Sequence, residues 1–221
     1  FAISNSSTSN GGNLRDGSNS TLLWGYQAEE TSFATSYIPT VASTVTRNKD
    51  EANNSGDSSL MSSTEGTIYA EFAALANEGT TRSISLSDGT TNNRLLLGFH
   101  ATSNGCLVNI KTGNVEQVSQ NVVLSAITDF NKVAVVYKAN NVVVFRNGEF
   151  AASDTSVSLA SADTFDSLQF DTGAGSSDFS GKIKSIAVFK EFLDNDELEC
   201  LTGSGFDSFT ALAEAGSYTI I

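Results

Sequence analysis

FNKVAVVYKANNVVVFRNGEF, residues 130–150, decides the fold. Two β-branched, apolar runs flank Asn140-Asn141, and a second turn, Asn147-Gly148, follows at once. Asn and Gly adopt positive φ at low cost, so such pairs between apolar runs are hairpin signals. The block therefore reads as an antiparallel meander. A period of two sets Val133, Val135 and Tyr137 on one face and Ala134, Val136 and Lys138 on the other.

Short strands extend from this block in both directions. Upstream, residues 67–75 (TIYAEFAAL) alternate Ile68, Ala70 and Phe72 against Tyr69, Glu71 and Ala73. Residues 82–86 follow, then a turn at Asp88-Gly89, residues 93–100, a turn at Asn104-Gly105, residues 106–111 and residues 115–124. Downstream come residues 167–171 and 181–189. About ten short strands with Asx-Gly turns, and no βαβ crossover, predict an all-β sandwich or jelly roll. Two segments break the pattern. Residues 193–201, LDNDELECL, open with Asp194 as N-cap and Glu197 three residues on, a capping box. Residues 206–215, FDSFTALAEA, also begin with a cap candidate, Asp207, and end at Gly216, and residues 217–221 read as a closing strand. One or two short surface helices are thus expected near the C-terminus. At the other end, residues 1–20 are Ser, Asn and Gly with almost nothing apolar, and residues 21–26 (TLLWGY) form a short strand. The expected organisation is an extended arm over 1–43 and the jelly roll over 44–221.

Composition bounds the function. Of 221 residues 39% are hydrophobic, enough for one sandwich with a real core. Twelve Lys and Arg against 25 Asp and Glu give a net charge of −13, which disfavours nucleic acid and anionic membranes as partners. No apolar run approaches the roughly 18 residues a membrane span needs. The first residues, FAISNSSTSNGG, do not read as an intact signal peptide. Glycosylation triplets at Asn5, Asn19 and Asn53 are of a kind that Asn- and Ser-rich sequence produces by chance. Cys106 and Cys200 form no CxxC or Cys/His cluster, which argues against structural zinc. Both read as buried thiols, with one long-range disulfide as the alternative.

The order of the pieces resembles the laminin-G-like, or concanavalin-A-like, jelly roll. The resemblance rests on residues 130–148 and on FSGKIKSIAVFKEFLDNDELECL, residues 179–201. Residues 24–50, WGYQAEETSFATSYIPTVASTVTRNKD, are similar to a linker that precedes such jelly rolls in tail-fibre and other virion proteins of tailed bacteriophages. The ending SFTALAEAGSYTII is similar to the ends of those proteins. What this implies is a non-enzymatic virion module, a fibre or appendage on the virion surface that binds a host-surface glycan or another virion protein. Phage fibres being commonly trimers, it also implies a homo-oligomer, although no heptad seam is present.

Chemistry in the sequence is sparse. No strand carries the spaced carboxylates of a glucanase, and no G-x-S-x-G elbow accompanies the single histidine, His100. The acidic group Glu191, Asp194, Asp196, Glu197 and Glu199 sits at a helix start, where negative charge is favourable. No catalytic residue is assigned. Glycan binding needs exposed aromatic faces to stack on sugar C–H surfaces, with Asn, Asp or Gln to hold hydroxyls. Asp88, Asn92, Asn93, His100 and Asn104 are the candidate ligand-binding residues, with Tyr37 and Phe99 as aromatic candidates. Leu22, Leu23, Trp24 and Tyr26 are the candidate interface. No cofactor is required; Ca²⁺ is the cation to weigh, because lectin-like jelly rolls hold it in rim loops, with Asp171 and Asp178 as ligands. Two other readings stay open: a capsid decoration protein attached through its arm, and a glycan-cleaving enzyme.

Overall fold

A computed structural model describes residues 27–28, 36–39, 42–46 and 56–205. The interface candidates Leu22, Leu23, Trp24 and Tyr26, the helix expected over 206–215 and the closing strand over 217–221 lie outside the described residues. The chain divides into two compact units, Phe1–Asn48 and Lys49–Ile221. In the first, the Gln27 amide donates to the Ser36 carbonyl (3.2 Å) and accepts from the Ile38 N–H (2.7 Å).

The second unit holds strands β1 (Glu65–Ala74), β2 (Arg82–Ser87), β3 (Arg94–Phe99), β4 (Gly105–Thr112) and β5 (Val115–Val123). It continues with β6 (Asn131–Lys138), β7 (Asn141–Arg146), β8 (Glu149–Asp154), β9 (Ser167–Gln169) and β10 (Gly181–Phe189), followed by helix α1 (Asn195–Thr202). Two five-stranded sheets result, the first ordered β10-β1-β6-β7-β8 and the second β5-β4-β3-β2-β9. Every pairing is antiparallel. The meander forms as read: Asn140 and Asn147 turn at φ of 58° and 49°, and Gly148 at 84°.

Alternation decides what each face meets. Ile68, Ala70 and Phe72 of β1, Val133, Val135 and Tyr137 of β6, and Ile84, Leu86, Leu95, Leu97 and Phe99 of β2 and β3 share one core between the sheets. Its centre is aromatic, with Phe72 and Phe99 rings 4.9 Å apart and Phe179 stacked on Phe99 at 5.9 Å. The other face of the first sheet is apolar too. Tyr69, Ala134, Val136, Val143 and Phe145 are buried beneath Leu193, Leu198 and Leu201. Lys138 turns outward and lies 3.9 Å over the Phe192 ring.

Helix α1 is fixed at both ends. Asp194 caps it by accepting from the Glu197 N–H (2.9 Å), and the Glu197 carboxylate accepts from the Asp194 N–H (2.8 Å). At its far end the Gly148 N–H donates to Thr202 Oγ1 (3.0 Å), and Lys132 Nζ donates to the Gly203 carbonyl (2.8 Å). This geometry corrects one expectation. Cys200 is exposed, because at about 100° per residue it lies far round the helix from Leu198, which faces the sheet. Cys106 is buried as expected, and both thiols are free. Among the described residues no helix is long and apolar enough to cross a membrane.

Replacing the cap, Asp194→Ala, should lower unfolding stability by about 1 kcal/mol. Leu198→Ala should cost about 2–5 kcal/mol, because Leu198 is fully buried. Urea denaturation measures both. Wild-type stability in Leu198→Ala would show that α1 does not hold the sheet.

Candidate functional site

The outward face of the second sheet has a different character. In β2, RSISLS, Ile84 and Leu86 point into the core, so Ser83, Ser85 and Ser87 point away from it. Across the sheet Ser85 is level with Leu96 and Asn109, and Ser87 is level with Arg94 and Lys111. An outward sheet face is ordinarily hydrated. Here Ser83 (1%), Ser85 (0%), Ser87 (0%), Leu96 (3%) and Asn109 (5%) are buried. The connection between β9 and β10 packs against this region. Arg94 Nη1 donates to the Thr172 carbonyl (3.0 Å), and the Ser83 N–H donates to the Ser177 carbonyl (3.0 Å). Gly173 (φ 91°) makes the approach close: a Cβ there would lie 2.6 Å from the Thr90 carbonyl oxygen and 2.9 Å from Ser87 Oγ.

Polar pairing on this face is incomplete. Asn109 Nδ2 donates to Glu116 Oε2 (2.8 Å) and to the Val118 carbonyl (3.0 Å), and Ser87 Oγ donates to Gln169 Oε1 (3.0 Å). Among the described residues, four buried side-chain atoms have no hydrogen-bond partner: Ser83 Oγ, Ser85 Oγ, Arg94 Nε and Asn109 Oδ1. All four belong to this one face. An unmade hydrogen bond on a buried group costs about 1–3 kcal/mol, so such a concentration requires a reason. Burial works against the charged form of the Arg94 guanidinium, while the Glu116 carboxylate favours it; burial prevails. Together the atoms offer hydroxyls, an N–H donor and a carbonyl acceptor.

The residues singled out in the sequence fall elsewhere, in two groups. Asp88, Asn92 and Asn93 form the turn before β3, whereas His100 and Asn104 follow it. Six residues of strand put about 20 Å between the groups, so the structure does not bring the five together. Each group ties a turn. Asp88 accepts from Thr90 N (3.0 Å), Thr90 Oγ1 (2.6 Å) and Asn93 Nδ2 (2.8 Å), and Asn93 Oδ1 accepts from Gly113 N (2.8 Å). The Asn92 carbonyl accepts from Asn114 N (2.9 Å). At the other end His100 Nδ1 accepts from Thr102 N (3.0 Å), and Asn104 Oδ1 accepts from Asn77 Nδ2 (3.0 Å). Phe99 is core, and Tyr37 is exposed. Asp171 and Asp178 flank the loop closed by the Phe179 N–H and the Phe170 carbonyl, and Asp171 accepts from the Gly173 N–H (2.6 Å). Among the described residues no three His, Cys, Asp or Glu side chains gather where a metal ion could sit. Sequence reasoning passed over Ser83, Ser85, Arg94, Asn109 and Glu116. The available signal was the strict serine alternation of RSISLS and the lone Asn within CLVNIK.

Residues 47–199 match the concanavalin A-like lectin/glucanases superfamily. The chain belongs to that superfamily. No curated protein matches it in sequence. One similar solved structure is the CBM40 of the Ruminococcus gnavus IT-sialidase bound to α2,3-sialyllactose. It has 17% identity and a TM-score of 0.54, over 70% of this chain and 97% of that one. Domain 4 of AbnA, a GH43 extracellular arabinanase from Geobacillus stearothermophilus in complex with arabinotriose, has 11% identity and a TM-score of 0.51, over 66% and 70%. The leech intramolecular trans-sialidase has 20% identity and a TM-score of 0.52, over 65% of this chain but 24% of that enzyme. At these identities the likeness is one of fold.

Burial raises the Asp88 pKa, but the bonds from Thr90 and Asn93 outweigh it and hold the carboxyl below its ordinary value. A depressed folded-state pKa contributes stability that is present above the unfolded value, about 4, and is lost as pH falls through the folded one. Asp88→Asn should therefore be less stable than wild type at pH 7, with the difference shrinking below pH about 4. Thermal unfolding across pH 2.5–7 reads this, and a constant difference would refute the linkage.

Proposed function

We propose that this chain is a non-catalytic, glycan-binding jelly-roll module on the surface of a phage virion, and that it reads glycan with the outward face of its second sheet. The carrying observation is the four unpartnered polar atoms gathered there. These atoms are closed off in the free chain, so the reading requires the β9–β10 connection to move aside; a sugar hydroxyl, both donor and acceptor, can then satisfy Ser83 Oγ, Ser85 Oγ and Asn109 Oδ1. Leu96, between Ser85 and Asn109, gives apolar contact for sugar C–H surfaces. The glycan-bound titles among the structural neighbours support the reading at the level of fold. The phage setting is supported by the SFATSYIPT linker, residues 32–40, and with it comes a homotrimer as the expected assembly.

Ser83→Ala and Ser85→Ala separate this role from a packing role. Each removes a buried hydroxyl that has no partner, so the free protein should keep or gain stability, by up to about 1–2 kcal/mol. Binding to host-derived polysaccharide should weaken about three- to tenfold in the same variants. Calorimetric titration and thermal melting on the full chain measure the two effects. Wild-type affinity in both variants, or no binding of any host-surface polymer by wild type, would overturn the assignment.

A further inference from the structure

Strands β8 and β10 edge the first sheet, and β5 and β9 edge the second. An open edge is a template for another strand, and proteins blunt it with charge, bulges or short length. Three of these edges are guarded in that way. β10 carries Lys182 and Lys184, and its register shifts between Glu71 and Phe72 of β1. β8 has Glu149 and Asp154 at its ends and a register shift at Val144/Phe145. β9 has three residues. β5, VEQVSQNVV, has nine, with neither Lys nor Pro. Its single charge, Glu116, lies beside a register shift near its start, and there the Ser158 N–H donates to Gln117 Oε1 (3.1 Å). From Val118 to Val123 the strand is uncharged and its register regular.

Register fixes which backbone groups this edge offers. The Leu124 N–H donates to the Asn104 carbonyl (2.8 Å), so at a period of two Val122, Gln120 and Val118 also turn their N–H and C=O groups toward β4. Ser119, Asn121 and Val123 turn theirs away. Among the described residues these three outward N–H and C=O pairs have no partner. All three residues are exposed, Val123 at 63%.

We infer that this edge takes the β5 edge of a second copy, antiparallel across a two-fold axis at Asn121. Only that axis matches the free set to itself. Ser119 meets the partner's Val123, Asn121 meets the partner's Asn121, and Val123 meets the partner's Ser119, each exchanging N–H and C=O. An axis at Gln120 would set Val123 against Gln117, where the register shifts and Ser158 is bonded. An axis at Val122 would set Ser119 against Ser125, beyond the strand. The two second sheets become one continuous sheet with their outward faces on the same side. No charged residue lies between Val118 and Val123, so like charges do not meet at the contact. The net charge of −13 on each copy opposes approach, so screening by salt favours the pair. This contact does not rest on the glycan reading. It joins copies in even numbers: a dimer or, with the three-fold of a fibre, a hexamer.

Sedimentation equilibrium of the full chain at about 0.3 mM, in about 0.05 M and about 0.5 M NaCl, tests this. Wild type should show an even multiple of the chain mass, more fully at the higher salt. Asn121→Pro removes the central N–H, and Pro is tolerated in an edge strand whose N–H faces away from the ladder. The variant should therefore stay folded by thermal melting and associate at least about tenfold more weakly. Val123→Lys, an edge charge of the kind β10 carries, should act likewise. Amide exchange gives a second readout. The Ser119 and Val123 N–H groups should exchange at least about tenfold more slowly in wild type than in Asn121→Pro, with Val122 protected in both. A wild type that is monomeric or trimeric at both salts would overturn the two-fold contact, and a trimer would leave the fibre reading standing. An even assembly unchanged in both variants would overturn the assignment to β5.

Discussion

Strand β6 is apolar on both faces, and that constraint organises the molecule. Val133, Val135 and Tyr137 demand cover on one side, and Ala134 and Val136 demand it on the other. A sheet with two apolar faces is stable only as the middle of three layers. The second sheet supplies one layer and α1 with the preceding Leu193 supplies the other. A helix of eight residues is too short to persist on its own, so it depends on the sheet as much as the sheet depends on it. The capping box, the Gly148–Thr202 bond and the Lys132–Gly203 bond hold it in register over Val143 and Phe145.

The second sheet is under no such demand. Its core face is as apolar as that of the first, but its outward positions on β2 are all serine. Serine is small and a moderate strand former, so it neither fills the space above the sheet nor supplies apolar area. Packing gives no reason to bury it with an unpaired hydroxyl. Where a fold retains such a cost, a functional contact is the natural explanation, because stability and site chemistry make opposed demands on the same atoms.

Much of the fold was legible because its signals are local. Asn147-Gly148 sets a turn whatever surrounds it, the alternation in β6 states which side each residue faces, and Asp194 with Glu197 is read from a spacing of three. The site was not legible in the same way. Asp88, Asn93, His100 and Asn104 lie within seventeen residues of sequence and looked like one group. The six residues of β3 separate them to opposite ends of the sandwich, and their polar side chains are consumed by turns. Arg94, Asn109 and Ser85, by contrast, are spread over three strands and meet only through register. An unpartnered atom is a property of the assembled structure, and no spacing encodes it. Cys200 shows the same limit, since its exposure depends on which side of α1 meets the sheet.

Membership in the superfamily places a sandwich around the chain but does not choose a ligand, because the fold supports many binding surfaces. The reading proposed above rests on an observation that does not depend on kinship, the set of buried polar atoms left without partners on the second sheet. At long range the net charge of −13 repels an acidic polymer, and that repulsion is screened beyond about 8 Å in physiological salt. At contact the local field governs.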